Sequence, residues 1–414
     1  MNCLYNTAIR AYSAAARLAA LRSDKVRKMV SGQARSIAHV GDVRRSVAPE
    51  GFDLWFHAAS LGEFEQARPL IERFRRERPE LKILLTFFSP SGYEVRKNYD
   101  KVDCVAYLPF DKPALVEAFI DAAAPKRVVF VKYEFWGNFL HSLARRGIPT
   151  YLIDAIFRPG QSFFRKCGGM FRGMLRCYTH IFVQDQASKD LLATIGVDNV
   201  TVAGDTRFDR VTDVMTRKVS LPQVERWLAS SPFTLIVGSS WPGDEERYLP
   251  WVNAHQQVRV IIAPHEFDAD RLRALTHQCK GGVALWSQVS DKAEIPADTQ
   301  VLIIDTIGLL SSLYRFGDAA IVGGGFGAGI HNINEAAVYG IPVIFGPNHA
   351  KFKEATDLMA CSGGYEYSDS RQLAAVLDRC VADRDALTAA GRAAGAYIHD
   401  HLGATDRIYP TLNK

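Results

Sequence analysis

The sequence predicts two α/β domains, each built around a parallel β-sheet. Short apolar runs alternate with helical or loop stretches along most of the 414 residues. The runs are continuous, which is typical of parallel strands buried on both faces. A polar stretch interrupts this alternation once, and the alternation then resumes. We therefore expect two domains of the Rossmann type that face a central cleft, where the ligand binds.

The composition is that of a soluble globular protein of two or three domains, with 48% hydrophobic and 23% charged residues. Its seven cysteines show no C-x-x-C or Cys/His pattern suited to a metal. Their odd number argues against a disulfide framework. We therefore expect a reducing cytoplasm, no cofactor and no metal site.

The positive charge is concentrated at the N-terminus. Residues 1–45 hold nine basic and two acidic side chains, a local charge of +7, so the rest of the chain sums to −2 within a total of +5. Arg10 and Arg17 interrupt the apolar residues, which leaves no run suited to a membrane span or a signal peptide. The segment predicts either an amphipathic helix on an anionic membrane surface or a solvated basic helix packed on its own domain. Its apolar residues are Ile9, Tyr12, Leu18 and Leu21.

Eleven apolar runs are predicted strands. Six precede the polar stretch: "LWFHAA", "KILLTFF", "CVAYLPF", "RVVFVKY", "PTYLIDA" and "HIFVQDQ". Five follow it: "FTLIVGSS", "VRVIIAPHE", "TQVLIIDT", "AAIVGGGF" and "IPVIFGP". We therefore predict an N-terminal domain over 46–211, a linker over 212–232 and a C-terminal domain over 233–414 that closes in helices.

The stretch "SLGEF" after the first strand has two interpretations. Ser60 and Glu63 form an S-x-x-E pattern ahead of a helical run, which predicts a capping box. The same carboxylate at the start of a helix facing the cleft is also placed to act as a base. The local pattern does not separate the two.

Three other positions in the first half stand at strand ends. Glu134 follows an apolar strand and precedes an aromatic helix, where a charged side chain needs a partner or a task. Arg207 stands among acids and predicts a surface ion pair or a functional cation. The turn "SPSG" is suited to bind phosphate or to cap a helix, through Ser89, Ser91 and Gly92.

The glycine-rich stretch "VGGGFGAGIHNINEAAVYGIPVIFGP" predicts a nucleotide or sugar-phosphate site. Its glycines, including Gly324 and Gly325, follow a strand, and a helix is expected to begin near Asn332 with free N–H groups. Glu335 is expected to accept the hydroxyls of a ribose. The spacing is not G-x-G-x-x-G, and a tight turn is the alternative. Asn332 is also suited to cap the helix.

Two further motifs lie in the second half. Pro264 and His265 end a strand, where loops gather around a ligand. Asp268 and Asp270 form D-x-D, which some sugar transferases use for a metal. Here they precede a probable helix, so we interpret them as acids favoured by its dipole.

These segments, in this order, resemble the 3-deoxy-D-manno-octulosonic acid (Kdo) transferases, which are GT-B glycosyltransferases. The resemblance extends from about His57 to about Lys353. It rests on "HAASLGEF", "SPSG", "YEFW", "GDTRFD", "APHE", "DTIGLL" and "GGGFGAGIHNINEAAVYGIPVIFGP". Members commonly have Lys where Arg207 stands, Arg where His265 stands, and a more continuous apolar N-terminal anchor.

The resemblance implies transfer of Kdo from CMP-Kdo to a lipid A precursor without a metal. It implies that Glu63 is the general base and that Glu134 and Arg207 stabilise the transition state. The implied CMP-binding residues are Pro264, His265, Ile307, Gly308, Leu309, Asn332, Ile333, Asn334 and Glu335. We expect the acceptor at Ser60, Gly62, Ser89, Ser91 and Gly92.

The predicted enzyme is peripheral on the cytoplasmic face of the bacterial inner membrane, with an anionic membrane surface and no nucleic acid among its partners. Two alternatives stay open. One is another GT-B enzyme, a transferase or an epimerase, that uses a different nucleotide sugar. The other is a homologue without activity that binds nucleotide sugar or lipid as a sensor.

Overall fold

The computed structural model describes residues 3–216, 219–289 and 294–414. They form two compact units, residues 1–209 with 402–414 and residues 210–401. Each unit contains one seven-stranded parallel sheet with helices packed on it. The predicted fold class, two Rossmann-like α/β domains, is confirmed.

The sheet of the first unit has the strand order β3-β2-β1-β4-β5-β6-β7. Its strands are β1 Leu54–Ala58, β2 Ile83–Phe87, β3 Cys104–Tyr107, β4 Val128–Val131, β5 Thr150–Ala155, β6 His180–Val183 and β7 Val200–Val202. The helices are α1 Cys3–Ala19, α2 Asp24–Val47, α3 Leu61–Glu77, α4 Pro90–Arg96, α5 Pro113–Ala123, α6 Gly137–Arg145, α7 Gly169–Leu175, α8 Gln186–Ala193 and α9 Thr206–Thr216. Strands β1, β2, β4 and β5 are buried throughout, as continuous apolar runs require.

The sheet of the second unit has the order β10-β11-β9-β8-β12-β13-β14. Its strands are β8 Thr234–Ser240, β9 Arg259–Pro264, β10 Gly282–Leu285, β11 Thr299–Ile303, β12 Ala319–Val322, β13 Val343–Phe345 and β14 Gly364–Glu366. The helices are α10 Pro222–Leu228, α11 Pro242–Ala254, α12 Ala269–Gln278, α13 Leu310–Leu313, α14 Asn334–Ala337, α15 Lys353–Ala360, α16 Ser370–Ala382 and α17 Arg384–Asp400, and the last helix of the chain is α18 Ala404–Leu412.

All eleven predicted runs contain strands, and three strands were missed. The missed strands β7, β10 and β14 have three or four residues each and lie at sheet edges. Most of their residues are only partly buried. An edge strand needs no continuous apolar run, so its sequence carries little signal.

The last helix corrects the predicted C-terminal domain. Helix α18 belongs to the first unit, not the second. Tyr409 packs on Phe74 of α3 with ring centroids 4.6 Å apart, and Ile408 and Leu412 enter the same core. Asp209 accepts hydrogen bonds from the backbone N–H groups at the start of α18.

Much of the segment predicted as a linker, 212–232, is helical. Helix α9 continues into it and α10 occupies much of the remainder, while residues 217–218 lie outside the described part. Val224 and Trp227 are buried, and the Trp227 indole donates to the Thr299 carbonyl at 3.0 Å. Glu225 and Arg226, two of the polar residues that suggested a linker, are exposed on α10.

The basic N-terminal segment forms two helices, α1 and α2. Its residues 1–2 lie outside the described part. Val40 of α2 is fully buried in the first domain's core, with Ile37 and Val43 packed against it. Gly32 contacts β3 so closely that an added Cβ would lie 2.3 Å from the Tyr107 ring. Helix α2 is thus an integral layer of the first domain.

Candidate active site

The predicted catalytic residues lie at the carboxyl edge of the first sheet. Strands β1 and β4 are neighbours in the sheet. The chain continues from β1 to β2 on one side and from β4 to β5 on the other. The gap between β1 and β4 is therefore the switch point, where α/β proteins bind ligands. Glu63 follows β1 and Glu134 follows β4. The strand order therefore brings both carboxylates to the carboxyl edge of the sheet at this switch point.

Glu63 does not take part in a capping box. Ser60 is the N-cap residue of α3 by position, yet its side chain makes no capping hydrogen bond. The Ser60 hydroxyl instead donates to the carboxylate of Glu63, which is partly exposed. The predicted cap is wrong, and the carboxylate is oriented by a hydroxyl at the edge of the sheet.

Glu134 is 6% exposed and is held by several donors. His57 Nε2 donates to Glu134 Oε2 over 3.0 Å, and the Trp136 indole donates to the same oxygen. The Tyr178 hydroxyl donates to the Glu134 backbone carbonyl. No role was predicted for His57. A polar residue inside the apolar run of β1 was the signal that could have identified it.

Arg207 pairs with the acid two residues before it. Its Nη2 lies 2.7 Å from Asp205 Oδ2, and its Nε lies 3.0 Å from the same oxygen. Burial alone would raise the pKa of Asp205, but the charge and hydrogen bonds of Arg207 outweigh it and lower that pKa. The ion pair is partly buried, with the Arg207 side chain 33% exposed.

A buried acid that the sequence analysis missed lies next to this pair. Burial and the negative Asp205 raise the pKa of Asp154 to about 8. Thr206 Oγ1 lies 2.8 Å from Asp154 Oδ2 and donates to the Gln66 carbonyl of α3 over 2.6 Å. One hydroxyl has one proton, so Asp154 is the donor to Thr206 when protonated. This chain ties the start of α9, and with it Arg207, to the helix of Glu63.

Backbone strain marks the same edge. Lys132 at the end of β4 has φ +68° and Asp154 has φ +56°. Both conformations are unfavourable for residues with a Cβ and are typical of functional sites. In the second domain, Ser239 beside the end of β8 has φ +52°.

The predicted acceptor residues take different positions. Ser89 caps α4, accepting from the Ser91 N–H at 3.3 Å, and its own N–H donates to the Ala59 carbonyl at 2.7 Å. This contact joins the loops after β1 and β2. Gly92 is buried, and an added Cβ would lie 2.1 Å from the Phe87 ring, so packing explains that glycine. Gly62 is exposed at the start of α3.

Helix α1 adds residues to this edge. Tyr5 donates to Asp111 and accepts from the Gly137 N–H at 3.0 Å. Tyr12 packs on Phe88 and Phe110, with ring centroids 6.4 and 5.8 Å away. Within the described residues, no helix has both the length and the apolar character needed to span a membrane.

The second domain has its own switch point, between β8 and β12. The glycine-rich loop follows β12. An added Cβ at Gly325 would lie 2.5 Å from the Gly346 Cα, and Gly324 has φ +94° and donates its N–H to Asp244 Oδ2 at 2.9 Å. Packing thus accounts for these glycines, and the Gly324 N–H is already engaged.

The helix expected near Asn332 begins at Asn334 and has only four residues. Asn332 Oδ1 accepts from the Asn334 N–H at 3.2 Å, but the N-cap position is Ile333, so Asn332 stands one residue before the cap. Asn332 Nδ2 donates to Glu335 Oε1 at 3.1 Å. Glu335 lies in the first turn rather than one turn into the helix. Ile333 is buried beside these residues.

Asn334 is the most informative member of this group. Its side chain is 1% exposed, and neither amide atom has a hydrogen-bond partner among the described residues. Buried amides without partners are rare and mark places where a ligand or water completes the site. Asn334 was among the predicted donor-binding residues.

The remaining predicted donor residues also lie at the carboxyl edge. Pro264 ends β9, and the His265 N–H donates to the Ser240 carbonyl at 2.9 Å. Ile307, Gly308 and Leu309 follow β11; Gly308 has φ +94°, and the Ile307 side chain is 89% exposed. An apolar side chain this exposed at the ligand edge is free to contact a ligand.

The D-x-D pair has structural roles. Asp268 is the N-cap of α12 and accepts from the N–H groups of Asp270 and Arg271, while Asp270 pairs with Arg273. Within residues 3–216, 219–289 and 294–414, no three His, Cys, Asp or Glu side chains are grouped to hold a metal ion. All seven cysteines are free thiols.

Two parallel sheets with candidate ligand residues at both switch points define a protein with two Rossmann-like domains. The fold is similar to that of UDP-GlcNAc 2-epimerase from Neisseria meningitidis bound to UDP-GlcNAc. The TM-score is 0.57 at 12% identity, over 87% of this chain and 100% of the other. A putative UDP-N-acetylglucosamine 2-epimerase from Listeria monocytogenes gives the same TM-score over 88% and 96%. At this identity the likeness shows the fold alone.

Sequence comparison finds relatives that share one description. Residues 13–210 match the family described as 3-deoxy-D-manno-octulosonic-acid transferase (kdotransferase). The transferase of that name from Bordetella pertussis is 27% identical over 400 residues, 89% of this chain and 88% of the relative. The one from Chlamydophila psittaci is 25% identical over 87% and 84%. The resemblance to the Kdo transferases is confirmed, and with it the class of enzyme, a glycosyltransferase.

Proposed function

We propose that this enzyme transfers Kdo from CMP-Kdo to a lipid A precursor, with Glu63 as general base and no metal. The match to the Kdo transferases supports the choice of sugar. The donor, the acceptor and the residue roles come from the family resemblance together with the site geometry. One observation carries the mechanism. The Glu63 carboxylate accepts a hydrogen bond from the Ser60 hydroxyl instead of taking part in a capping box.

The first step in this mechanism is proton transfer from the acceptor. A sugar hydroxyl is a weak nucleophile until a base removes its proton, and a positioned carboxylate supplies that base. The Ser60 hydroxyl fixes the rotamer of Glu63 and occupies one of its oxygens, which leaves the second oxygen for the acceptor. Glu63 then carries the proton while the acceptor oxygen attacks the anomeric carbon.

Glu134 and Arg207 contribute charge. As Kdo leaves CMP, positive charge develops on its anomeric carbon, and a carboxylate held rigidly nearby stabilises it without reorganising. His57 and Trp136 give Glu134 that rigidity. Arg207 supplies a cation for the departing phosphate, and its pairing with Asp205 fixes its direction.

The second domain is proposed to hold the donor. The unpartnered amide of Asn334 can both donate to and accept from the nucleotide. Glu335, oriented by Asn332, can accept ribose hydroxyls. The exposed Ile307 offers an apolar surface to the ring of the base.

We propose that the first domain binds the membrane surface through α1 and the turn that follows it. Leu18 and Leu21 are 69% and 79% exposed, and they stand close in the chain to Arg17 and Arg22. Exposed apolar side chains among arginines suit the boundary of an anionic bilayer, where the acyl chains of a lipid acceptor lie. We therefore propose that the enzyme lies on the cytoplasmic face of the inner membrane.

The decisive experiment is a transfer assay with a tetraacylated lipid A precursor. The full chain is incubated with CMP-Kdo or with UDP-sugars, since the fold is shared with UDP-GlcNAc 2-epimerases. We expect product with CMP-Kdo alone. Turnover of a UDP-sugar in its place would establish the alternative, and binding of CMP-Kdo without transfer would favour a sensor.

A further inference from the structure

Helix α1 contacts the connection that carries Glu134. The backbone N–H of Gly137 donates to the Tyr5 hydroxyl at 3.0 Å. The side-chain N–H of Asn138 donates to Asn6 Oδ1 at 2.9 Å. Gly137 and Asn138 begin α6 and follow Glu134 closely in the chain. The N-terminal helix therefore contacts the connection between β4 and α6, at the edge of the sheet where the candidate catalytic residues lie.

The start of α6 lacks a local cap. Its N-cap residue, Trp136, makes no side-chain capping hydrogen bond, and the first N–H groups of a helix have no partner within the helix. Two other segments supply the acceptors. Asp111, in the loop between β3 and α5, accepts from the second and third N–H groups of α6 at 2.9 Å each, and Tyr5 accepts from the first. This turn is buried, so an N–H group left there without an acceptor would be costly.

Tyr5 and Asp111 form one hydrogen-bonded unit. The Tyr5 hydroxyl donates to Asp111 Oδ2 at 2.5 Å, and the same oxygen accepts from the Asn138 N–H. Asp111 is fully buried, so its oxygens depend on these donors. Removal of the Tyr5 hydroxyl takes one donor from Asp111 and the acceptor from the Gly137 N–H. Both losses weaken the hold on the start of α6.

The position of α6 affects the orientation of Glu134 through Trp136. Trp136 immediately precedes α6, and its indole N–H donates to Glu134 Oε2. Its ring packs on Phe88 with centroids 4.8 Å apart, and Phe88 packs on Tyr12 of α1 with centroids 6.4 Å apart. Helix α1 is therefore connected to the donor of Glu134 by two routes, through the backbone of α6 and through the Phe88 ring.

We propose that Tyr5 is a positioning residue for the transfer reaction. By capping α6 from α1, its hydroxyl holds Trp136 in place, and Trp136 orients the carboxylate of Glu134. The inference rests on the proposed role of Glu134, which is to stabilise positive charge on the sugar. Transfer then requires α1 to be packed on the first domain. The helix proposed to bind the membrane is thus also part of the catalytic scaffold.

A positioning role predicts which kinetic constant changes. A charged group that stabilises the transition state must be held in place before the reaction, and a misplacement of about 1 Å can lower a rate about 100-fold. An interaction made only in the transition state affects kcat and kcat/KM equally. We therefore expect loss of the Tyr5 hydroxyl to lower kcat about 10-fold and to leave the KM values for both substrates within about 2-fold.

The test uses the full chain with CMP-Kdo and a tetraacylated lipid A precursor in detergent micelles, so that binding to a bilayer does not limit the rate. The kcat and both KM values are measured for the wild type and for Tyr5→Phe, which keeps the ring and removes the hydroxyl. Tyr397→Phe is the matched control, since the Tyr397 hydroxyl donates to Asp357 at 3.1 Å in the second domain. It should transfer as wild type does. Thermal unfolding verifies that both variants are folded at the assay temperature.

A double-mutant cycle separates positioning from a general loss of stability. Trp136→Phe removes the indole donor to Glu134, so the route from Tyr5 is already broken in that variant. Adding Tyr5→Phe should then lower kcat by less than about 2-fold further, because residues that act through one contact have non-additive effects. If the two single losses multiply in the double variant, Tyr5 does not act through Trp136 and the proposal is overturned.

The remaining outcomes separate this inference from the proposed function. A wild-type kcat for Tyr5→Phe overturns the inference and leaves the transferase activity standing. A raised KM with unchanged kcat also overturns it, because Tyr5 would then act in substrate binding. Absence of transfer by the wild type overturns the proposed function and this inference together. If Tyr5→Phe fails to fold, Asn6→Ala, which removes the acceptor of Asn138, must lower kcat with unchanged KM.

Discussion

His57 at the end of β1 donates from Nε2 to the Glu134 carboxylate over 3.0 Å, although 77 residues separate them in the chain. His57 is fully buried, and its Nδ1 lies 2.9 Å from the Thr86 hydroxyl of β2. The bond thus joins three strands across the switch point of the first sheet. It fixes the orientation of a carboxylate that the proposed mechanism requires.

Replacing His57 tests this orientation. We expect His57→Leu to lower the transfer rate by about 10- to 100-fold, because a hydrogen bond to a charged group contributes about 1.5–3 kcal/mol. His57→Gln keeps an N–H donor and should lose less. Initial rates with CMP-Kdo provide the measurement, and thermal unfolding provides the control for the fold. Equal rates for Leu and wild type would contradict a positioning role.

The Glu63→Gln variant tests whether Glu63 acts as the general base or only as a residue of helix α3. Gln still accepts from Ser60 but cannot take a proton, so we expect a loss of transfer of about 10²–10⁴-fold with thermal stability unchanged. Glu77→Gln, at the other end of α3 and paired with Arg73, is the matched control and should transfer normally. Wild-type turnover by Glu63→Gln would show that the proton goes to another group.

The raised pKa of Asp154 predicts that the stability of the fold depends on pH. Its folded pKa of about 8 is above the ordinary value of 3.8, so the folded state binds more protons than the unfolded state between about pH 4 and 8. The contribution of this group to stability is fully present below pH 4 and is lost as pH rises through 8. Asp154→Asn should retain the hydrogen bonds and remove this slope.

The matched variant for that site is Asp154→Ala. It leaves the Thr206 N–H without its buried acceptor and should lose about 1–3 kcal/mol of unfolding free energy at pH 7. Chemical denaturation at several pH values measures both variants. An Asn variant with the wild-type slope would assign the titration to another residue.

Membrane binding is tested by point substitution rather than by removing residues 1–45, because α2 belongs to the core of the first domain. Leu18→Ser with Leu21→Ser should weaken binding to anionic vesicles, since burial of an apolar side chain contributes about 1.5–3 kcal/mol. Arg10→Gln with Arg17→Gln should weaken it most at low salt. Val95→Ser, an exposed apolar position on α4, is the control. Unchanged vesicle partitioning of both double variants would refute the role of α1.

Sequence periodicity was enough for the fold class and for the edge at which the site lies. Continuous apolar runs identify buried parallel strands, and residues that follow such strands share one edge of a sheet. Glu63, Glu134 and His265 were predicted to lie at these edges on that basis. The short edge strands β7, β10 and β14 were not found, because exposed edges need little apolar sequence.

The sequence by itself determined where the candidate residues stand along the chain and which edge of each sheet they reach. Only the tertiary structure decided what each side chain bonds. The Ser60 hydroxyl donates to the Glu63 carboxylate rather than capping the helix backbone, Thr206 links Asp154 to Gln66, and His265 stacks with both Trp241 and His331. The physical reason is that periodicity encodes local burial. Hydrogen bonds and ring contacts depend on which strands become neighbours, and that order is set by packing of the whole domain.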